Sequence, residues 1–316
     1  MLGAQLEGPP TRVLVTGISG YIGSLVAAEL QRRGHTVRGY SRRPERVALD
    51  VPMIAGDAVT GEGLDEALDG IEVAYFLMHS MEPTQGSDDR FGVRERAAAD
   101  RFAGAARRAG VGRIVYLGGP APSSGPLSPH LASRLEVERV LLDGVPASVA
   151  LRASIAIGAQ SRAFRFLVRL IERLPVLILP AWRDKRGMPI DQRDLISALV
   201  ACLDDPAAGG MVLDAAGPEV VSYGQLITRI ADAMLVARPT IGSRRMSVTP
   251  IASRIAAIVG DERPELIVPM MESLENDLLP ANPLASEVLG LRLHSLDSAI
   301  AHALAEWERT EPVRAR

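Results

Sequence analysis

The sequence predicts an α/β protein with a doubly wound parallel sheet and a smaller, mostly helical lobe at the C-terminus. Short apolar segments alternate with amphipathic segments of helical length up to about residue 155, and this alternation is typical of parallel strands joined by right-handed helical crossovers. A glycine-rich turn follows the first apolar segment. Hydrophobic residues make up 47% of the 316-residue chain, which is enough for a large core and a second lobe.

The first part of the chain contains the sheet-forming segments. Strands are expected at residues 12–16, 35–40, 53–55, 73–78, 113–117 and 147–152, and helices at residues 21–33, 89–109 and 129–142. Gly34 and Gly110 stand where the first two of these helices end, and glycine is the usual residue at a left-handed helix terminus. The sequence therefore predicts a sheet-based domain over residues 1–155.

The remaining residues, 156–316, are expected to form the C-terminal lobe. Helices are expected at residues 164–174, 192–204 and 222–235, with one strand at residues 211–213. Later segments of such folds often return to the sheet, so the lobe is expected to interleave with the first domain.

Composition argues against several classes of function. The net charge of −3 gives no global attraction to nucleic acid or to an anionic membrane. No segment approaches the roughly 20 apolar residues of a membrane span, and residues 1–10 lack the pattern of a signal peptide, so a cytoplasmic location is expected. The single cysteine, Cys202, lies in an apolar segment and predicts a buried, inert thiol rather than a disulfide or a multi-cysteine metal site.

The glycine-rich turn connects the first strand to the first helix, and residues 16–23 read TGISGYIG. Gly17 permits a tight turn, Gly20 lets the backbone approach a diphosphate, and Gly23 allows the helix to pack closely on the sheet. The helix N-terminus offers free N–H groups and the positive end of its dipole. The turn therefore predicts a Rossmann-type dinucleotide site. Its residues are Gly17, Ser19, Gly20, Tyr21, Ile22 and Gly23.

The end of the second strand indicates which dinucleotide is bound. Sites that prefer NAD place an acidic residue there, whereas this chain has Arg42 and Arg43. Two guanidinium groups suit a 2′-phosphate, so NADP(H) is expected, with NAD(H) as the alternative and a solvated basic turn as the interpretation without a ligand. Asp57 and Ala58, after the third strand, are expected to contact the adenine.

These features, together with four further segments, resemble the atypical short-chain dehydrogenase/reductases. The segments are FLMHSM (76–81), RIVYLGG (113–119), RASIAIG (152–158) and AGPE (216–219). The chain is most similar to the NmrA-like or NAD(P)H-binding group, which is related to the divinyl-chlorophyllide reductases and to an accessory subunit of respiratory complex I. The resemblance extends to about residue 235.

The resemblance also implies where a reaction takes place. Typical members use a serine after the fifth strand and a Tyr-x-x-x-Lys pair on the next helix, in which the tyrosine transfers a proton. Here Gly118 or Gly119 stands at the serine position, His130 at the tyrosine position and Arg134 at the lysine position. The four-residue spacing keeps His130 and Arg134 on one helical face.

Two interpretations of this pair stay open. In the first, His130 donates a proton near neutral pH and Arg134 clamps a ribose or a substrate anion. In the second, Arg134 only holds the cofactor and His130 is an ordinary polar residue near a helix start. Leu77 and His79, after the fourth strand, are further expected cofactor contacts, and His79 and Ser80 are alternative proton donors.

One helix of the C-terminal lobe carries a row of basic residues, Arg162, Arg165, Arg169 and Arg173. A solvated basic face over a packed apolar stripe is expected, with contact to a membrane or to an anionic substrate as the alternative. The resemblance implies that the stretch after the sixth strand borders the substrate, so the apolar residues 174–182 suggest an apolar or aromatic substrate.

The sequence favours an NADPH-dependent reductase that acts on a C=O or an activated C=C bond of a small apolar molecule. The same scaffold also supports a non-redox isomerase, dehydratase or epimerase. Because the serine, tyrosine and lysine are replaced, a non-catalytic NADP(H)-binding sensor or assembly protein is the alternative from another class. A small-molecule substrate is the expected partner, and homodimerisation stays open.

Overall fold

The computed structural model describes residues 9–78, 89–121, 129–179, 181–242 and 276–313, and the side chains of residues 89–91, 129–130, 178, 181 and 240–242 lie outside this description. The strands in these ranges are β1 (Arg12–Thr16), β2 (Thr36–Ser41), β3 (Met53–Ala55), β4 (Val73–Phe76), β5 (Arg113–Gly118), β6 (Val149–Ala153), β7 (Ala156–Ile157), β8 (Leu177–Leu179), β9 (Arg186–Gly187), β10 (Ile190–Asp191), β11 (Val212–Ala215), β12 (Val221–Ser222) and β13 (Thr240–Gly242). The helices are α1 (Tyr21–Arg32), α2 (Leu64–Leu68), α3 (Asp89–Arg108), α4 (Pro129–Gly144), α5 (Arg162–Arg173), α6 (Gln192–Ala201), α7 (Tyr223–Ala233), α8 (Ala285–Val288) and α9 (Leu296–Glu308).

Seven strands form one parallel sheet in the order β11-β6-β5-β4-β1-β2-β3. The chain starts in the middle at β1, moves outward to β3, crosses back to β4 and continues to β6. The strand order therefore reverses between β1 and β4, and ligands of such sheets bind outside the carboxyl ends of the strands at that point. The predicted doubly wound fold is confirmed.

The strand β11 returns from the C-terminal half to complete the sheet. It pairs with β6, from Val212 opposite Ala150 to Ala215 opposite Ala153. The return agrees with the expected interleaving of the two parts of the chain, while the boundary at residue 155 itself stays a prediction.

Alternate residues of the central strands enter apolar clusters on opposite faces of the sheet. Val13 and Val15 pack with residues of α1 and α6 on one face, and Leu14 packs with residues of α2, α3 and α4 on the other. All three side chains are fully buried. Because successive side chains of a strand point to opposite faces, a strand covered on both sides is a continuous apolar segment, which explains the segment at residues 12–16.

A third apolar cluster joins α5, α7 and α9 in the C-terminal half and includes Trp307. Arg169 is buried against it, with its guanidinium 5.0 Å from the centre of the Trp307 ring. Its Nη2 donates to both carboxylate oxygens of Glu311 at 2.8 Å, and its Nη1 donates to Glu172 at 2.7 Å. The expected solvated face is therefore wrong for Arg169, because acidic and aromatic groups near the end of the chain cover it.

Cys202 is fully buried, as predicted, and burial raises the pKa of its thiol to about 12. No helix in the described ranges is long and apolar enough to cross a membrane. The described histidine, cysteine and acidic side chains form no group of three or more that could hold a metal ion.

Candidate functional site

The glycine-rich turn lies at the carboxyl end of β1, beside the point of strand reversal. Gly17 has a φ of +66°, and a Cβ there would come within 2.5 Å of the carbonyl oxygen of Leu77. A Cβ on Gly23 would overlap the carbonyl group of Gly17, and the N–H of Gly20 donates to that same carbonyl at 2.8 Å. This is the tight turn and close helix packing that the sequence predicts.

The first turn of α1 fits an anion. Gly20 is the N-cap residue, so it provides no side-chain cap, and the first turn contains no acidic residue. The N–H groups at this end keep their hydrogen-bonding capacity for a bound group, and the helix dipole adds partial positive charge. The loop residues that line the adjoining cleft are Gly17, Ser19, Gly20, Tyr21, Ile22 and Gly23. These residues fit a diphosphate.

A cleft of about 730 Å³ extends along the carboxyl edge of the sheet. On one side of the turn, here named the β2–β3 end, it is lined by Tyr40, Ser41, Arg42, Gly56, Asp57, Ala58 and Val59. On the other side, here named the β4–β6 end, it is lined by Phe76, Leu77, Met78, Leu117, Gly118, Gly119, Ala153 and Ser154. The strand order alone dictates this division, because β2 and β3 lie on one side of β1 and β4 to β6 on the other.

The β2–β3 end brings together most of the residues expected to contact the adenosine part of a dinucleotide. Arg42, Asp57 and Ala58 line it. The Oδ1 atom of Asp57 accepts the N–H of Val59 at 2.8 Å and so fixes the turn after β3. Arg43 is exposed and is not among the residues that line the cleft. Of the two predicted arginines, the structure brings Arg42 to the cleft and leaves Arg43 outside it.

Tyr21, at the start of α1, is tied to the C-terminal half of the chain. Its hydroxyl donates to Oε1 of Gln192 at 2.5 Å, and Nε2 of Gln192 donates to Glu306 at 2.9 Å. Burial, followed by the nearby carboxylates of Glu306 and Asp191, raises the pKa of Tyr21 well above its ordinary value. A Cβ on Gly158 would overlap both the Tyr21 hydroxyl and the Gln192 side chain. The pair therefore depends on a glycine at position 158.

Helices α3 and α4 supply a charged wall at the β4–β6 end. Arg134 is 8% exposed, and its Nη2 donates to the carbonyl oxygen of Leu117 at 2.7 Å. Its Nη1 lies 3.6 Å from Oε1 of Glu95, and its guanidinium lies 5.1 Å from the centre of the Tyr116 ring. The Ser133 hydroxyl donates to the other oxygen of Glu95 at 2.8 Å. Arg134 and Glu95 both line the cleft. This wall therefore carries an ion pair whose guanidinium is held in place by its hydrogen bond to Leu117.

Three of the residues singled out in the sequence fall wholly or partly outside the described residues. His130 is the second residue of α4 and its side chain lies outside the described residues, as do His79 and Ser80 as a whole. The Tyr116 hydroxyl donates to the carbonyl oxygen of Arg134 at 3.2 Å, and burial raises the pKa of Tyr116 well above its ordinary value. The structure therefore gives Tyr116 a packing role.

The apolar stretch after α5 does not border the cleft. Leu177, Leu179 and Trp182 are buried in the cluster of the C-terminal half, and the described side chains of residues 174–182 do not line the cavity. The lining comes instead from the start of α5, at Ser161 and Arg162. The expectation that residues 174–182 border the substrate is therefore wrong for the described side chains.

Comparisons with known proteins agree with this geometry. A family model described as NAD(P)H-binding matches residues 17–154. A 3β-hydroxysteroid dehydrogenase/Δ5→4-isomerase of Mycobacterium tuberculosis is 32% identical over 121 residues, which cover 36% of this chain and 33% of that protein. A 2-alkyl-3-oxoalkanoate reductase of Stenotrophomonas maltophilia is 31% identical over 111 residues, 34% of this chain and 33% of that protein. The match thus spans about a third of each of these relatives.

Solved structures share the whole fold. A short-chain dehydrogenase/reductase superfamily protein from Agrobacterium tumefaciens with bound NAD has a TM-score of 0.69 at 19% identity and covers 94% of this chain and 98% of that one. At this identity, the similarity shows that the two chains share a fold. A UDP-glucose 4-epimerase from Thermotoga maritima has a TM-score of 0.71 at 14% identity and covers 95% of this chain and 99% of that one. Fold similarity at this level of sequence identity does not establish whether the chain has dehydrogenase or epimerase activity.

The family-model match and the two relatives support the resemblance to the short-chain dehydrogenase/reductases seen in the sequence, and the matched residues 17–154 form an NAD(P)H-binding domain. At the positions where typical short-chain dehydrogenase/reductases carry serine and lysine, this chain has Gly118 or Gly119 and Arg134. All three residues line the β4–β6 end. A Cβ on Gly119 would meet no atom within 4 Å, so the backbone there does not itself require glycine.

Three residues that the structure brings to the site or its support were not predicted from the sequence. Glu95 and Arg94 line the cleft from α3, and Gln192 holds Tyr21 from α6. The helix α3 has a strongly polar sequence, DRFGVRERAAADRFAGAARR. Such a sequence favours a solvated helix face, so it gives no indication that Glu95 and Arg94 line a cleft. A signal was nevertheless present for Arg94, which belongs to a row of arginines spaced by seven residues.

Proposed function

We propose that the chain is an NADPH-dependent reductase that acts on a C=O or an activated C=C bond of a small apolar molecule. The observation that carries the proposal is one continuous cleft, which joins the uncapped start of α1 to the charged wall and glycines at the β4–β6 end. Its volume of about 730 Å³ lies within the usual range of small-molecule and cofactor sites and suits an extended dinucleotide. The bound cofactor supplies the hydride chemistry, and the chain binds and orients the reactants.

The choice of NADP(H) over NAD(H) rests on the β2–β3 end. Arg42 lines the cleft directly after β2, where a carboxylate would favour an unphosphorylated ribose. A guanidinium matches the geometry and charge of a phosphate through paired hydrogen bonds. Asp57 and Ala58 complete this end and suit the adenine. Together these contacts favour a phosphate on the 2′ oxygen.

The proposed catalytic residues are His130 and Arg134. His130 stands in the first turn of α4, and its imidazole is the proposed proton donor, because its ordinary pKa lies near neutral pH. Arg134 holds the end of β5 through the Leu117 carbonyl and places a positive charge beside the glycines that line the cleft. That charge would stabilise negative charge that develops on an oxygen of the substrate.

The proposed substrate is apolar. Beyond the glycines, the cleft is lined by Leu77, Met78, Leu117, Leu131, Val137 and Leu195. The names of the two relatives denote a hydroxysteroid and a 2-alkyl-3-oxoalkanoate, each of which carries an oxygen function on an apolar body. Residues 156–316, apart from β11, are proposed as the lobe that faces this substrate, since Ser161, Arg162 and Leu195 reach the cleft from it.

The test is turnover of NADPH by the purified protein with ketones of these two classes. Cofactor consumption that depends on one of the ketones would support the proposal. The variant His130→Ala should lose most of that turnover and keep its affinity for NADPH, with His302→Ala in α9 as the matched control. Unchanged turnover in His130→Ala would remove the proposed role of the imidazole.

A non-catalytic NADP(H)-binding protein is the second candidate, and one observation favours it. The hydroxyls of Tyr21 and Tyr40, the two tyrosines among the described residues that line the cleft, already donate to Gln192 and to the carbonyl of Glu62. Neither hydroxyl is available for proton transfer. A cofactor that raises the unfolding temperature but is not consumed with any ketone would support this candidate over the reductase.

A further inference from the structure

Three arginines of α3 share one helical face. Arg94, Arg101 and Arg108 are spaced by seven residues, or nearly two turns, so their side chains leave the helix in similar directions about 10 Å apart along its axis. Position 98, which also belongs to this face, is a buried alanine that lines the cleft. The face therefore borders the protein around position 98, while the side chains of Arg101 and Arg108 farther along the helix are exposed.

The contacts of Arg101 and Arg108 show which part of the protein this face meets. Arg108 pairs with Oδ1 of Asp65 in α2 at 2.7 Å, and Nη1 of Arg101 donates to the carbonyl oxygen of Val59 after β3 at 2.5 Å. The other side of the helix faces α4, where Arg96 pairs with Glu136 at 2.7 Å. The arginine row thus runs along the wall formed by α2 and the turn after β3, and it rises toward the carboxyl edge of the sheet.

The top member of the row, Arg94, lines the cleft. It is partly buried, and its side chain makes no hydrogen bond or ion pair with another described residue. Asp57 and Ala58 of the β2–β3 end directly precede the Val59 carbonyl that Arg101 contacts, and they line the same cleft as Arg94. A partly buried guanidinium that has no counter-charge among the described side chains is suited to an anionic ligand.

We propose that Arg94 is a specificity-determining residue that binds the 2′-phosphate of NADP(H) together with Arg42. It takes the role that the sequence suggests for Arg43, whose side chain is exposed and is not part of the cleft lining. Arg42 and Arg94 approach the β2–β3 end from β2 and from α3, and their two positive charges exceed the single negative charge of Asp57. This inference rests on the proposed choice of NADP(H) as cofactor.

The test compares Arg94→Gln with the unaltered protein in titration calorimetry, using 2′,5′-ADP, 5′-AMP, NADPH and NADH. The variant should bind 2′,5′-ADP and NADPH about tenfold more weakly, which is the loss of one charge-assisted contact, and should bind 5′-AMP and NADH within about twofold of the unaltered protein. The control is Arg96→Gln, two residues away, whose exposed side chain contacts Asp100 and Glu136. It should leave all four affinities unchanged.

The outcomes separate this inference from the proposed function. If the unaltered protein binds none of the dinucleotides, the proposed function fails, and this inference fails with it. If the unaltered protein prefers NADPH but Arg94→Gln keeps that preference, or weakens NADPH and NADH equally, only the role of Arg94 is overturned. The variant should keep its unfolding temperature, because Arg94 makes no described side-chain contact, so lost binding is not a sign of misfolding.

Discussion

The hydroxyl of Tyr21 donates a hydrogen bond of 2.5 Å to Oε1 of Gln192, which is 171 residues away along the chain. Tyr21 belongs to the glycine-rich turn at the cleft, whereas Gln192 begins α6 and itself donates to Glu306 of α9. The turn that fits a diphosphate is therefore held in place by groups of the C-terminal half.

Gln192→Ala should weaken cofactor binding and lower the free energy of unfolding. The change leaves the half-buried hydroxyl of Tyr21 without its acceptor, which costs about 1–3 kcal/mol, and it frees the first turn of α1 to shift. The measurements are urea unfolding and the dissociation constant of NADPH. Gln31→Ala, which removes one exposed hydrogen bond to the Asp50 carbonyl, is the control and should change neither quantity. Equal effects of the two variants would contradict the prediction.

Gly158→Ala should be far more destabilising than Gly104→Ala. A methyl group at 158 would overlap both Tyr21 and Gln192, so the pair must separate or the strand β7 must move. Gly104→Ala in α3 is the matched control, because its nearest heavy atom is the end of the Arg108 side chain at 3.6 Å. The control should stabilise the helix by up to about 1 kcal/mol. Thermal unfolding of both variants tests the contrast, which fails if Gly158→Ala unfolds at the temperature of the unaltered protein.

Arg169→Ala should lower the free energy of unfolding by about 3 kcal/mol, since it removes a buried guanidinium that pairs with the carboxylates of Glu172, 3% exposed, and Glu311. Arg165→Ala is a graded control. That arginine is 32% exposed and stacks on Trp307 at 4.4 Å, so its loss should cost about 1 kcal/mol. Denaturant unfolding measures the loss of unfolding free energy in both variants. Similar losses would contradict the prediction that burial makes the contacts of Arg169 more stabilising than those of Arg165.

Glu219 should contribute to stability above about pH 4.3, its ordinary pKa, and this contribution should disappear in acid. Hydrogen bonds from Arg229 and then from the N–H of Leu296 lower the pKa of Glu219 in the folded state. As pH falls, the unfolded chain is protonated first, so the contribution is lost as pH drops through the folded pKa. The carboxylate is 34% exposed, which limits the effect to about 1 kcal/mol.

The measurement is urea unfolding of Glu219→Gln and of the unaltered protein between about pH 7 and pH 3. The difference between them should be largest at neutral pH and should shrink in acid. Glu287→Gln, at an exposed position, should show no such dependence. A constant difference across the range would contradict the assignment.

Arg42→Gln should weaken NADPH binding about tenfold and leave NADH binding nearly unchanged, because a charged contact to phosphate is lost. Arg43→Gln should affect neither cofactor, since the structure leaves Arg43 outside the cleft. Fluorescence titration of the two reduced cofactors distinguishes the variants. A larger loss of NADPH affinity in Arg43→Gln than in Arg42→Gln would support a role for Arg43, as the sequence suggests, and would contradict its position outside the cleft.

Local patterns in the sequence were sufficient for the sheet and for the glycine-rich turn. The apolar segment at residues 12–16 and the glycines after it are contiguous, so their geometry follows from backbone chemistry alone. The fourth strand ends at Phe76 instead of residue 78, because Leu77 and Met78 leave the sheet to line the cleft. Apolar character does not distinguish a residue packed in a strand from one that faces a ligand.

The contacts between distant segments were not predictable in this way. Nothing near Tyr21 in the sequence indicates Gln192, and nothing near Arg169 indicates Glu311. The helix α5 begins at Arg162, two residues earlier than expected, because Ser161 caps it with an acceptor for the N–H of Phe164. At residue 94, the seven-residue spacing of arginines indicated a shared face but not which neighbour that face would meet.

The strand β11 also bears on how the chain acquires its structure. Its pairing with β6 joins residues about 60 positions apart, so this edge of the sheet closes only after α5 and α6 have been synthesised. A fragment that stopped at residue 155 would leave the N–H and C=O groups of β6 open to pairing with another molecule. Such a fragment would tend to aggregate, and the nucleotide-binding half is better produced with its natural edge strand attached.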